Sequence, residues 1–139
     1  MECSVRWTGV GMSFIAETGS NHIVALDGAP EVGGRNLVPR PMEMVLVGTG
    51  ACSASDVVVI LKKSGQEITA CEVKLTSERA ETDPKVFTRI HMHFIVRGRA
   101  LKRNLVEHAI RLSHEKYCSA TAMLAKTAQI TKDFEIVEE

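Results

Sequence analysis

Pro41-Met42-Glu43-Met44-Val45-Leu46-Val47-Gly48-Thr49-Gly50-Ala51-Cys52-Ser53-Ala54-Ser55-Asp56-Val57-Val58-Val59-Ile60-Leu61-Lys62-Lys63 decides the architecture of this chain. From Met44 to Leu61 the only charged residue is Asp56, and the apolar residues do not keep to one face. A helix that is apolar all round lies inside protein or inside lipid. The stretch reaches the lower edge of a membrane-spanning length. Asp56, the small polar residues Thr49, Ser53 and Ser55, and the amphipathic sequences on either side favour a buried core helix instead. Pro41 suits the first helical turn, and Lys62-Lys63-Ser64-Gly65 is a stop signal. A chain of 139 residues rarely encloses so long a helix alone. A second copy is therefore expected to supply part of the cover, in a homodimer with extensive contact between protomers.

Before the helix, Ser4 to Thr8, Met12 to Glu17 and His22 to Leu26 read as short strands of an antiparallel meander. Gly9-Val10-Gly11 and Thr18-Gly19-Ser20-Asn21 form the turns. Asp27 to Arg40 is a loop rich in Gly and Pro, long enough to suggest a functional role. After the helix, Glu72 to Arg79 and Val86 to Arg97 alternate with period two. Ile90, Met92, Phe94 and Val96 fall on one face and Arg89, His91, His93 and Ile95 on the other. With Asp83-Pro84 in the link, these form an antiparallel hairpin. Leu101 to Tyr117 reads as an amphipathic helix with a stripe of Leu101, Leu105, Ala109 and Leu112. A short helix over Ser119 to Lys126 and a closing strand over Gln129 to Val137 complete an α+β chain, expected to be one domain over residues 1–139.

Seventeen basic residues balance seventeen acidic ones, without a run of either sign. Binding to nucleic acid, or polybasic attachment to an anionic membrane, needs a basic surplus that this chain lacks. The start, Met1-Glu2-Cys3-Ser4-Val5-Arg6-Trp7, has neither the basic segment nor the apolar core of a secretory signal. A cytoplasmic location is expected. There the four cysteines are packing residues, metal ligands or reactive thiols rather than a disulfide scaffold.

Cys52 lies midway along the long helix among Gly48, Gly50 and Ala51, small residues that permit a close approach. Cys118 stands between two helices, where a helix N-terminus favours the reactive thiolate. From spacing alone, the reading of both as small buried hydrophobes stands ahead. Cys3 and Cys71 read as structural. His91 and His93 share a strand face, but no cysteine or carboxylate stands at a ligand spacing, so no metal site and no cofactor is expected. Gly48-Thr49-Gly50 and Gly33-Gly34 lack the context of a phosphate loop.

Pro41-Met42-Glu43-Met44-Val45-Leu46, Gly50-Ala51-Cys52 and Tyr117-Cys118-Ser119 together resemble the OsmC/Ohr family of osmotically inducible and organic-hydroperoxide-resistance proteins. The order of elements also matches over nearly the whole chain. The resemblance implies two intertwined protomers, with antiparallel sheets around long central helices and active sites at the interface. It also implies a thiol peroxidase acting on organic hydroperoxides and recharged by a cellular dithiol. Cys52 matches the peroxidatic cysteine and Cys118 the resolving one. The family's thiolate is held by an arginine that a carboxylate positions. Arg35 is the preferred match, with Arg40 as the alternative, and Glu43 is the candidate carboxylate, one residue after the position the peroxidase branch prefers. Met42 stands where the peroxidase branch has its carboxylate, and Ser119 where a proline is common, which marks a divergent branch. The competing reading keeps this fold without efficient turnover, as a redox sensor or a small-ligand-binding dimer.

Overall fold

The computed structural model describes all residues, Met1–Glu139. The chain forms two compact units, Met1–Val47 and Gly48–Glu139.

The first unit is the expected meander, with β1 (Cys3–Trp7), β2 (Ser13–Thr18) and β3 (Ile23–Asp27) in that spatial order and antiparallel throughout. The first turn closes through Gly9 at φ 83° and Gly11 at φ 53°, left-handed conformations that glycine adopts without strain. The Trp7 indole N–H donates to the Gly11 carbonyl at 3.0 Å. The loop that follows holds one 3-10 turn, Pro30–Val32, and is closed around the buried carboxylate of Asp27. That side chain accepts the backbone N–H of Gly28 (2.9 Å), Arg35 (3.1 Å) and Leu37 (3.5 Å). A Cβ on Gly34 would collide with the Gly28 carbonyl, so only glycine permits this crossing of the chain.

Helix α1 (Pro41–Lys63) begins and ends where the sequence places it. Arg40 is its N-cap and Pro41 its first residue. At the other end Gly65 is left-handed at φ 72°, with Gly65 N–H on Lys62 O and Gln66 N–H on Leu61 O, a Schellman stop. Thr49, Ser53, Val57 and Leu61, one residue per turn, are buried. Val45, Val47 and Val59 remain exposed at 39%, 57% and 48%. A single chain thus buries one row of this helix, not its whole circumference. By length and composition α1 could cross a membrane, with a mean hydropathy of 1.9 over its most apolar window.

The second unit is a three-stranded sheet, β4 (Glu67–Arg79), β5 (Phe87–Arg99) and β6 (Gln129–Glu138), with β5 central. The β4–β5 hairpin is antiparallel, pairing Val73 with Phe94 and Leu75 with Met92. Ile90, Met92, Phe94 and Val96 are buried, as their alternation requires. Each such side chain contributes roughly 1.5–3 kcal/mol when removed from water. β6 corrects the expectation of purely antiparallel sheets, since it runs parallel to β5, with Phe94 opposite Phe134. The reason is the connection: a helical crossover returns the chain to the end where β5 began, and only a parallel strand can start there.

That crossover is not one helix. α2 (Arg103–Leu112) runs into a wide turn, Ser113–Tyr117, and then α3 (Ser119–Leu124). Its buried row is Val106, Ala109, Ile110 and Ser113, whereas Leu101, Leu105 and Leu112 of the expected stripe are only half-buried. Both rows have helical spacing. Ala109 belongs to both, and Ser113 can stand in the buried row because its hydroxyl is hydrogen-bonded inside.

Candidate active site

Cys52 projects from α1 and Cys118 caps the start of α3, and both are free thiols. The structure places them near one another: the Cys52 side chain is close enough to perturb the Cys118 thiol. Cys52 is half-buried and Cys118 only 2% exposed. Gly50, two residues before Cys52, lets β4 come close, because a Cβ there would lie 2.7 Å from Leu75 Cδ1.

The sulfur of Cys118 is fixed from its own side. It accepts the Thr121 backbone N–H at 3.5 Å, and the Thr121 hydroxyl donates to the Cys118 carbonyl at 3.0 Å. The expectation that a helix start favours the Cys118 thiolate is corrected here. Burial pushes this thiol above its ordinary range, and proximity to Cys52 adds to the rise, while the contacts to Thr121 only partly oppose them. Desolvation of a charged sulfur outweighs the hydrogen bonding that Thr121 offers it. Cys118 is therefore held as a neutral thiol.

Of the other cysteines, Cys71 sits half-buried in β4, where burial pushes it up to about 11. Cys3 lies exposed on β1. His91 and His93, whose strand face the sequence gives, meet carboxylates that only the parallel pairing of β6 supplies. Both rings contact Asp133 Oδ1, His91 Nε2 at 3.1 Å and His93 Nδ1 at 2.7 Å. The far nitrogens face Thr131 (2.7 Å) and Glu135 (3.4 Å). No group of three or more His, Cys, Asp or Glu side chains is arranged to hold a metal ion.

In the first unit, Glu43 engages Arg40 and not Arg35. Its carboxylate accepts the Arg40 backbone N–H at 3.4 Å and lies 3.6 Å from Arg40 Nε. This is the third helical residue reaching back to the N-cap, one half of a capping box. Arg40 Nε is shielded from solvent and lacks a hydrogen bond of good geometry. Arg35 is exposed, its backbone held by Asp27 and its Nε beside Gly11. The backbone contact from Arg35 is the main reason the Asp27 carboxyl lies below its ordinary range, ahead of those from Leu37 and Gly28.

Sequence reasoning missed three groups. Asp27 was read only as the start of a loop. Ser113 and Asp56 were not linked, although the Ser113 hydroxyl donates to Asp56 Oδ2 at 2.9 Å and lies 3.0 Å from the Ser53 hydroxyl. A serine in the core row of an amphipathic helix, with an unpaired aspartate in an apolar helix, was the available signal.

The α+β fold, with two sheets and a long apolar helix that carries one of two neighbouring free thiols, is an OsmC-like fold. The chain belongs to the OsmC-like protein family, whose model matches residues 34–132. It is 48% identical to Protein YhfA of Escherichia coli strain K12 over 137 residues, covering 99% of this chain and 98% of that one. Among solved structures it is similar to a hypothetical protein from Aquifex aeolicus, at 28% identity and a TM-score of 0.86, with 99% and 96% of the two chains covered. An organic hydroperoxide resistance protein OsmC from Legionella pneumophila shares the fold at 15% identity and a TM-score of 0.70, with 97% of each chain covered.

Proposed function

We propose that this protein is a thiol-dependent peroxidase that reduces organic hydroperoxides. The observation that carries the reading is the nearness of the free thiols of Cys52 and Cys118. Cys52 attacks the hydroperoxide, ROOH; the O–O bond breaks, ROH leaves, and Cys52 becomes a sulfenic acid. The neutral Cys118 thiol condenses with it, releasing water and forming the Cys52–Cys118 disulfide. An external cellular dithiol is then oxidised to its own disulfide and returns both cysteines to thiols. The burial that keeps Cys118 protonated suits the second step, in which it attacks only after Cys52 is oxidised.

Family membership supports a cation that holds the attacking thiolate, and an arginine placed by a carboxylate is the pattern to satisfy. Arg40 with Glu43 meets that description within this chain, and Arg35 is the other candidate. The exposed Val45, Val47 and Val59 of α1 support a homodimer, in which a second copy covers these faces and the active sites lie at the interface. Absence of a basic surplus supports a cytoplasmic enzyme without nucleic-acid or membrane partners.

The test is consumption of cumene hydroperoxide and of hydrogen peroxide by the reduced protein with dithiothreitol as electron donor. Consumption of the organic peroxide that is lost in Cys52→Ser supports the reading. Equal consumption by that variant sinks it.

A further inference from the structure

We infer that Asp56 and Ser113 are positioning residues that hold Cys118 in place to close the disulfide on Cys52; this rests on the peroxidase reading only for its catalytic consequence. The inference starts from a polar contact in an apolar place. Ser113 is completely buried, yet its hydroxyl donates to Asp56 Oδ2 at 2.9 Å and faces the Ser53 hydroxyl at 3.0 Å. Ser113 has one hydroxyl proton, so its donation to Asp56 leaves Ser53 as the donor to Ser113. Asp56 and Ser53 both belong to α1, one turn and one residue beyond Cys52.

The other half of the clamp is backbone. Ser113 opens the wide turn Ser113–Tyr117, and its carbonyl accepts the Cys118 N–H at 2.8 Å, a bond spanning five residues rather than four. Widened turns of this kind are uncommon inside helices and cluster at functional sites, where they re-aim a side chain. Here the turn ends at Cys118, whose backbone is extended and whose thiol lies near Cys52. One residue thus ties both ends: its side chain is bound to the helix of the first sulfur, and its carbonyl to the backbone of the second. The path from Cys52 to Cys118 runs through Asp56 and Ser113, with no loop in it.

A clamp of this kind acts on the closing step. Cys52 can be oxidised by peroxide without it, because Cys118 takes no part in that bond change. Condensation of the Cys52 sulfenic acid with the Cys118 thiol, with loss of water, needs the sulfurs aligned, and its rate measures their effective concentration. Asp56→Ala and Ser113→Ala each cut the clamp. Asp56→Asn keeps an acceptor oxygen for the Ser113 hydroxyl and so serves as the conservative rescue.

Two readouts on the full chain test this. In glutathione redox buffers, without peroxide, the equilibrium constant for the Cys52–Cys118 disulfide is expected to fall at least tenfold in Asp56→Ala and Ser113→Ala, and to stay within threefold of wild type in Asp56→Asn. After one equivalent of cumene hydroperoxide, dimedone is expected to trap Cys52 sulfenic acid in the alanine variants where wild type yields disulfide. Asp56 is half-buried, so its truncation leaves a space that water can fill, and that variant decides the matter if Ser113→Ala does not fold. An unchanged glutathione equilibrium in folded Asp56→Ala overturns the inference. If wild type consumes no peroxide, the peroxidase reading fails, and the glutathione readout still decides for or against the clamp.

Discussion

Glu43 reaches back along the chain to Arg40, meeting both its backbone N–H at 3.4 Å and its guanidinium Nε at 3.6 Å. One carboxylate therefore does two things: it satisfies a free donor at the start of α1 and it fixes the direction of an arginine. Glu43→Ala is expected to cost about 0.5–1 kcal/mol of stability, the scale of one lost cap, measured by urea unfolding. On the proposed function it also slows peroxide reduction, because Arg40 loses its guide. Arg40→Ala is expected to slow the first-turnover oxidation of Cys52 by roughly tenfold or more, the scale of one lost charge-assisted contact. A larger effect from Arg35→Ala would move the role to Arg35.

Asp27 makes the first unit acid-sensitive. Its carboxyl lies below the ordinary value of 3.8 because the backbone N–H groups of Arg35, Leu37 and Gly28 favour the charged form. The stability it gives is fully present above about pH 4 and is lost as pH falls through the lowered folded value. Asp27→Asn is expected to flatten this acid limb of the stability curve and to lower stability at neutral pH. Chemical denaturation from pH 2 to 7 measures both.

The His93–Asp133 contact has the opposite slope. His93 is raised above 6.5, chiefly by its hydrogen bond to Asp133 and then by that to Glu135. Its contribution is complete below about pH 6.5 and disappears as pH rises through the elevated folded value. Asp133→Asn is expected to bring the His93 titration, followed by NMR, back toward the ordinary histidine range. No movement of His93 in that variant would show that the contact is not made in solution.

The four thiols are expected to alkylate in an order set by exposure and burial. With iodoacetamide at pH 7.5, exposed Cys3 and half-buried Cys52 react in the native protein, while Cys118 and Cys71 lag. Burial holds Cys71 near 11 and raises Cys118, leaving little thiolate in either. Peptide mass spectrometry of partly labelled protein gives the order.

Much of this was legible because it depends on local chemistry. Pro41 and Gly65 carry the limits of α1 in their own backbone preferences, and the alternation from Ile90 to Val96 names the buried face of β5. The expectation that Cys52 and Cys118 lie at one site rests on the family resemblance, not on spacing, which left both as ordinary buried residues. What the sequence concealed depends on partners far along the chain. Ser113 looks like a surface residue until Asp56 and Ser53 are beside it. His91 and His93 had no carboxylate until β6 ran parallel and set Asp133 opposite His93. Asp27 looks like a turn residue until the loop folds back and places three N–H groups around it.

The most direct measurement is a disulfide map after oxidation. Reduced protein is treated with one equivalent of cumene hydroperoxide, quenched with an alkylating agent and digested for mass spectrometry. The expected result is a Cys52–Cys118 bridge with Cys3 and Cys71 still alkylated as free thiols, and a sulfenic acid stranded at Cys52 in Cys118→Ser. Peroxide treatment that leaves Cys52 and Cys118 unbridged, together with peroxide consumption indifferent to Cys52→Ser, would contradict the assignment of this pair as a peroxidase couple.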